Sequence, residues 1–154
     1  FLTVGYFETH HDFPKLGPDD DIRYCPIPAP LPDTPPIREE MARFKASAKI
    51  LDNNMGAVID ALETNGLKDN TLVICTTDHG IPFPGMKTCL TGHGTGVMMM
   101  LCGPGEFSGG RVSDSLVSQV DIYPTLCELL EIDPPQWLEG KSMLPIIRDE
   151  KRSV

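Results

Sequence analysis

The sequence predicts an α/β fold, a mostly parallel sheet flanked by helices, and three observations predict it. Two short apolar runs, at 71–77 and 97–101, stop abruptly at turn residues. A long helical period precedes the first of them, and the segments follow one another as β-loop-α-β-loop-β-α. Apolar runs without polar alternation read as strands covered on both faces, the kind that parallel sheets contain. In such sheets, ligands gather at the carboxyl ends of the strands.

In order along the chain, Phe1–Phe7 has strand composition and leads into Glu8-Thr9-His10-His11-Asp12, polar residues at the edge of a candidate site. Residues 13–36 are rich in Pro and Asp and lack a sustained period, with Pro26, Pro28, Pro30 and Pro32 suiting polyproline II in parts. A loop this long either walls a pocket or is a surface excursion, and both readings stand. Thr34 can start a helix with Pro35 and Pro36 in its first turn. Ile37, Met41, Phe44, Ala48, Leu51, Met55, Val58, Ile59 and Leu62 then recur at spacings of three and four, a core-packing stripe, until Asn65-Gly66 caps the end.

The run from Thr71 to Thr77 is the next strand, and it ends at Asp78-His79-Gly80. A carboxylate beside an imidazole, with a glycine for a tight turn, makes half of a metal site or a turn in which Asp78 bonds local amides. Ile81–Gly96 has turn character and carries Lys87 and His93. Val97–Leu101 reads as a further buried strand, Gly109-Gly110 as a turn, and Asp121 as the N-cap of a short helix with Pro124 in its first turn. Trp137–Ile147 reads as a loop leading into a final turn.

Charge narrows the function classes. Thirteen Lys and Arg against 22 Asp and Glu leave a net charge of −9, which argues against nucleic acid or an anionic membrane as the main partner. No apolar run reaches the length of a membrane span. The five cysteines are odd in number, widely spread and without a CxxC pair, so neither a zinc ribbon nor a disulfide framework is indicated. The chain begins at Phe1, within an apolar run and without an initiator Met, so a piece of a longer protein is expected.

If the strands are parallel neighbours, His10, His11, Asp78, His79, Lys87 and His93 project to one edge. A cation held there would polarise an oxyanion ester, Lys87 would pair with a non-bridging oxygen, and a histidine could protonate the leaving group.

These residues resemble the sulfatases of the alkaline phosphatase superfamily. Asn70-Thr71-Leu72-Val73-Ile74 running to Thr77-Asp78-His79-Gly80 is similar to the sulfatase metal-binding strand and turn, and Leu51-Asp52, Gly56, Leu62-Glu63 and Gly66 to the long helix before it. Val120-Asp121-Ile122-Tyr123-Pro124-Thr125-Leu126 resembles the stretch after the last core strand. Gly140-Lys141-Ser142-Met143-Leu144-Pro145 resembles the usual ending, and Thr9-His10 the Pro-His loop, with Thr in place of Pro. Ile81-Pro82-Phe83-Pro84 is faintly similar to the heparan N-sulfatase branch.

The resemblance implies an alkaline-phosphatase-like fold, here as one partial domain over 1–154, and metal-dependent hydrolysis of sulfate esters or N-sulfates. Asp78 and His79 would ligate a divalent ion, calcium before others, although many members carry Asn where this chain has His79. Lys87 would contact the sulfate, and His10 would stand at the leaving-group oxygen. His11 and His93 are the further candidates for substrate contact. The partner implied is a sulfated small molecule or glycan, in a periplasmic, secreted or lysosomal setting, while free cysteines keep the cytoplasm open.

One departure is large. Sulfatases build a formylglycine from a Cys/Ser-x-Pro-x-Arg motif, and neither Cys25-Pro26-Ile27-Pro28 nor Ser142-Met143-Leu144-Pro145 matches it. The formylglycine and the remaining metal ligands are therefore expected upstream, and these residues alone should not turn over. Two alternatives stand beside the sulfatase reading. One is a phosphodiesterase or phosphonate hydrolase of the same superfamily; the other is a non-catalytic metal- or anion-binding module.

Overall fold

The computed structural model describes residues 1–148, so the last six residues of the expected 1–154 domain lie outside it. The dominant element is α1, Pro35–Thr64, 30 residues long. Thr34 precedes it in an extended conformation, with prolines in the first turn where no intrahelical N–H is needed. Asn65 ends it, its side-chain amide donating to the Ala61 carbonyl at 2.8 Å, and Gly66 follows at a φ of 66°.

Two short strands, β1 (Val73–Thr76) and β2 (Met99–Cys102), pair as a two-stranded sheet. Their ends show the direction. The Met98 amide donates to Thr77 Oγ1 at 3.3 Å, while Gly103 lies against Leu72 and the Thr71 carbonyl. The strands are therefore antiparallel, which corrects the expected parallel sheet among the described residues. The physical reason is the connection. Residues 77–98 fold into turns and one short helix, α2 (Gly92–Thr95), and return to the edge they left, without the crossover helix that parallel neighbours require.

A second correction concerns Phe1–Phe7, which adopts no strand. Phe1, Leu2, Val4 and Phe7 are exposed, and the backbone bond at its end, His10 N–H to Phe7 O at 2.9 Å, belongs to a turn. An apolar run becomes a strand only with a neighbour to complete its ladder.

The chain divides into two compact units, Phe1–Asp69 with Ile74–Met100, and Asn70–Val73 with the residues from Leu101 onward. In the first, the core is Cys25, Leu31, Met41, Ala42, Phe83 and Met86, with Phe13, Phe44 and Ile81 packed against it. Phe13, Phe44 and Phe83 form an aromatic trio with centroids 5.6–6.0 Å apart. Each well-buried side chain of this size contributes roughly 1.5–3 kcal/mol. Only the N-terminal half of α1 is buried, at Met41, Ala42 and Ser47. Beyond it, Leu51, Met55, Val58, Ile59 and Leu62 are half-buried. The Pro-rich loop packs Cys25 and Leu31 inward and leaves an open cleft of about 500 Å³ between Tyr24, Asp33 and Arg38.

In the second unit, α3 (Ile122–Leu129) packs with α4 (Leu144–Ile147). The expected cap is corrected in detail. Ser118 opens a 3-10 turn at Gln119–Asp121 that runs into α3, and Ser118 and Asp121 form a reciprocal capping box. The Asp121 carboxylate accepts from the Ser118 amide at 2.8 Å and from the Lys141 amide at 2.8 Å. Buried Thr125 donates to the Asp121 carbonyl at 2.6 Å and accepts from the Met143 amide at 2.8 Å, so both hydroxyl roles are met. The block Gly140–Pro145 is thus the latch that closes the tail onto the start of α3.

Candidate functional site

Everything proposed from sequence for the site lies in the first unit, after β1 and around the Phe13 loop. Asp78 stands two residues past β1, with its side chain 85% exposed, beside His79 at 34%. His79 Nδ1 lies 2.7 Å from the Gly80 carbonyl. A carbonyl only accepts, so Nδ1 carries the proton and Nε2 is left with a lone pair. That lone pair faces Asp78 Oδ2 at 3.4 Å. Two Lewis bases so close are satisfied by a shared proton or a shared cation. An imidazole steadied through its other nitrogen by a backbone carbonyl is also the usual posture of a metal ligand.

The pair therefore fits a divalent cation, as two of its ligands. Among the described residues no third His, Cys, Asp or Glu joins them in a metal-sized cluster. Two donors fall well short of the 6–8 oxygens that calcium takes.

Gly80 is buried and tightly held. Its amide donates to the Gly94 carbonyl at 2.9 Å, and a Cβ there would come within 1.8 Å of the His93 carbonyl. Gly94 is held in turn, since a Cβ on it would lie 2.0 Å from the Cys89 carbonyl and 2.3 Å from that of Met86. Close packing that leaves no room for a methyl selects glycine at both positions. Lys87 sits between Met86 and Cys89, half-buried, with its amide bonded to the Ile81 carbonyl at 3.2 Å. Among the described residues, no carboxylate pairs with its ammonium.

His10 and His11 are exposed. His10 lies against Phe7 at a centroid distance of 5.2 Å, and His11 lies edge-on to Phe13 at 5.1 Å. Phe13 stacks on Phe83, which belongs to the same loop as Lys87. The aromatic stack is thus what brings the histidine loop to the lysine loop, in place of the strand expected from the sequence. His93 lends its carbonyl to the Gly80 packing while its side chain is exposed. Two contributors went unread in the sequence: Gly94, whose contacts span distant turns, and Thr88, at a φ of 69°. The turn character of Ile81–Gly96 was readable, but not what the turn touches.

Among the described residues, no helix is long and apolar enough to cross a membrane. Known proteins similar to the chain include an ulvan-active sulfatase of Formosa agariphila, 30% identical over 127 residues, covering 82% of this chain and 21% of that protein. The human N-sulphoglucosamine sulphohydrolase is 32% identical over 134 residues, covering 80% and 27% respectively. The arylsulfatase K of Bos taurus is 36% identical over 115 residues, covering 71% and 21%. The chain thus spans about a fifth to a quarter of the length of the curated relatives it matches. Residues 1–132 match the sulfatase family model, and the chain belongs to the sulfatase family, whose fold class is the α/β, alkaline-phosphatase-like one.

Proposed function

We propose that the full-length protein hydrolyses sulfate esters or N-sulfates of a sugar or small molecule, with these residues supplying part of a metal site and the sulfate-binding lysine. Family membership over residues 1–132 supports the reaction class. The single observation that carries the residue roles is the contact at Gly94, where the Asp78-His79-Gly80 turn and the Lys87 turn meet on one glycine. Relatives named for N-sulphoglucosamine and for ulvan favour a sulfated glycan as substrate.

In this reading Lys87 holds a non-bridging sulfate oxygen as a compact point charge. His10, as imidazolium, delivers its proton to the leaving oxygen or nitrogen as its bond to sulfur breaks, so that the product leaves neutral. His11 and His93 meet the substrate outside the sulfate. Asp78 and His79 would hold a divalent ion as two of its ligands, and the ion would supply positive charge toward the sulfate oxygens. Calcium suits the Asp78 carboxylate, and His79 adds a nitrogen that transition ions also accept. The nucleophile is a formylglycine borne elsewhere in the protein.

The test uses the full-length protein with 4-nitrophenyl sulfate and 4-nitrophenyl phosphate side by side. The expected result is sulfate release that a chelator abolishes and calcium restores. Asp78→Asn is expected to weaken metal binding by more than the roughly 10–100-fold that loss of an outer-shell partner costs. Turnover of the phosphate alone would move the protein to the phosphoester branch. Calcium binding without turnover of either would leave a non-catalytic module.

A further inference from the structure

Lys87 and Thr88 are the central residues of a four-residue turn closed by the Cys89 amide on the Met86 carbonyl at 2.9 Å. Thr88 takes a φ of 69°. The third position of a type II turn demands such a value, and glycine or asparagine normally fills it. A β-branched residue there is an outlier, held only where the surroundings over-determine the backbone.

The surroundings are visible. Met86, on one side of the pair, is fully buried. The Lys87 amide is tied to Ile81. Beneath the turn lies Gly94, onto which the carbonyls of both Met86 and Cys89 close, and whose own carbonyl receives the Gly80 amide. One residue therefore touches the turn that carries the lysine and the turn that carries Asp78 and His79.

We propose that Gly94 and Thr88 are positioning residues that fix the Lys87 ammonium relative to the Asp78-His79 pair. Gly94 sets how closely the two turns approach, and Thr88 locks the direction in which the lysine leaves its turn. The role rests on the reading above, in which Lys87 binds the sulfate group.

A double-mutant cycle on the full-length protein tests it, reading the Kd of inorganic sulfate by titration calorimetry and the urea midpoint. Lys87→Ala alone checks the underlying reading: if sulfate binds it as tightly as wild type, the anion role of Lys87 falls, and the positioning role with it. Given a loss there, Gly94→Ala is expected to weaken sulfate binding about tenfold beside an intact Lys87, and by less than about twofold in the Lys87→Ala background. Equal losses in both backgrounds would mean that Gly94 serves only the fold, overturning the proposal while leaving Lys87 in place. If Gly94→Ala does not fold, Thr88→Gly decides. Freed of the strained φ, it is expected to raise the urea midpoint yet weaken sulfate binding only where Lys87 is present. Unchanged sulfate binding in Thr88→Gly would overturn the proposal.

Discussion

Replacing Lys87 by alanine is expected to lower kcat/KM for a sulfated substrate by about 10²–10³ in the full-length protein, while its urea midpoint stays where it was. The two halves of this expectation have separate causes. Lys87 is a half-buried turn residue with no carboxylate partner among the described residues, so its removal breaks no ion pair that supports the fold. A cation already positioned where the charge of an oxyanion develops needs no reorganisation at the moment of reaction, and loss of one such group costs about 10²–10³ in rate. Lys87→Arg keeps the charge but replaces a compact point with a wide planar fork, and falls between wild type and alanine. Steady-state kinetics across the three proteins checks the order. A Lys87→Ala enzyme within about threefold of wild type would remove the lysine from the mechanism.

Gly80→Ala acts through the opposite balance, with a large cost to stability. The added methyl would sit 1.8 Å from the His93 carbonyl, and the Gly80 amide would lose its 2.9 Å bond to Gly94. Both partners are backbone, so neither can swing aside as a flexible side chain would. Overpacking of this kind, with a buried amide left unsatisfied, costs about 2–4 kcal/mol. A drop in the urea midpoint at constant slope measures it. Because Gly80 ends the Asp78-His79 turn and bonds Gly94, on which the Lys87 turn also closes, metal affinity and sulfate affinity are expected to fall together in this variant, whereas Lys87→Ala is expected to lower the second alone. An unchanged midpoint would show that the turn opens freely and that the Gly80–Gly94 contact holds nothing in place.

Elements whose cause is local were legible in the sequence. α1 was readable from its period and from Thr34, Pro35 and Asn65-Gly66, and the structure ends it at Thr64. The apolar core of β1 and the helix after Asp121 were legible for the same reason. What failed depended on which partners the residues find, most of them far along the chain. Phe1–Phe7 has strand composition, but composition does not supply a neighbour. The direction of pairing between β1 and β2 is absent from both apolar runs, since it follows from how residues 77–98 return. Ser118 and Asp121 are both good capping residues, and only their reciprocal bonds decide which one opens the turn.

The candidate site divides in the same way. Asp78, His79 and Lys87 were visible as residue types bounding a strand. Their mutual arrangement runs through carbonyls closing onto Gly94 and through the Phe13–Phe83 stack, and neither is written in a local pattern.

The uneven burial of α1 gives this single helix two timescales. Its amides around Met41, Ala42 and Ser47 are backed by the core, so they exchange with solvent deuterium only in large openings of the first unit. Past Ser47 no residue of the helix is fully buried, and the remaining turns add to their own ladder only a half-buried stripe from Leu51 to Leu62, which backs them less than the core does. Protection factors are therefore expected to step down along α1 from Ser47 toward Thr64, with Asn65 and Gly66 guarding an end that opens by itself. A flat profile along the helix would mean that it opens as one piece.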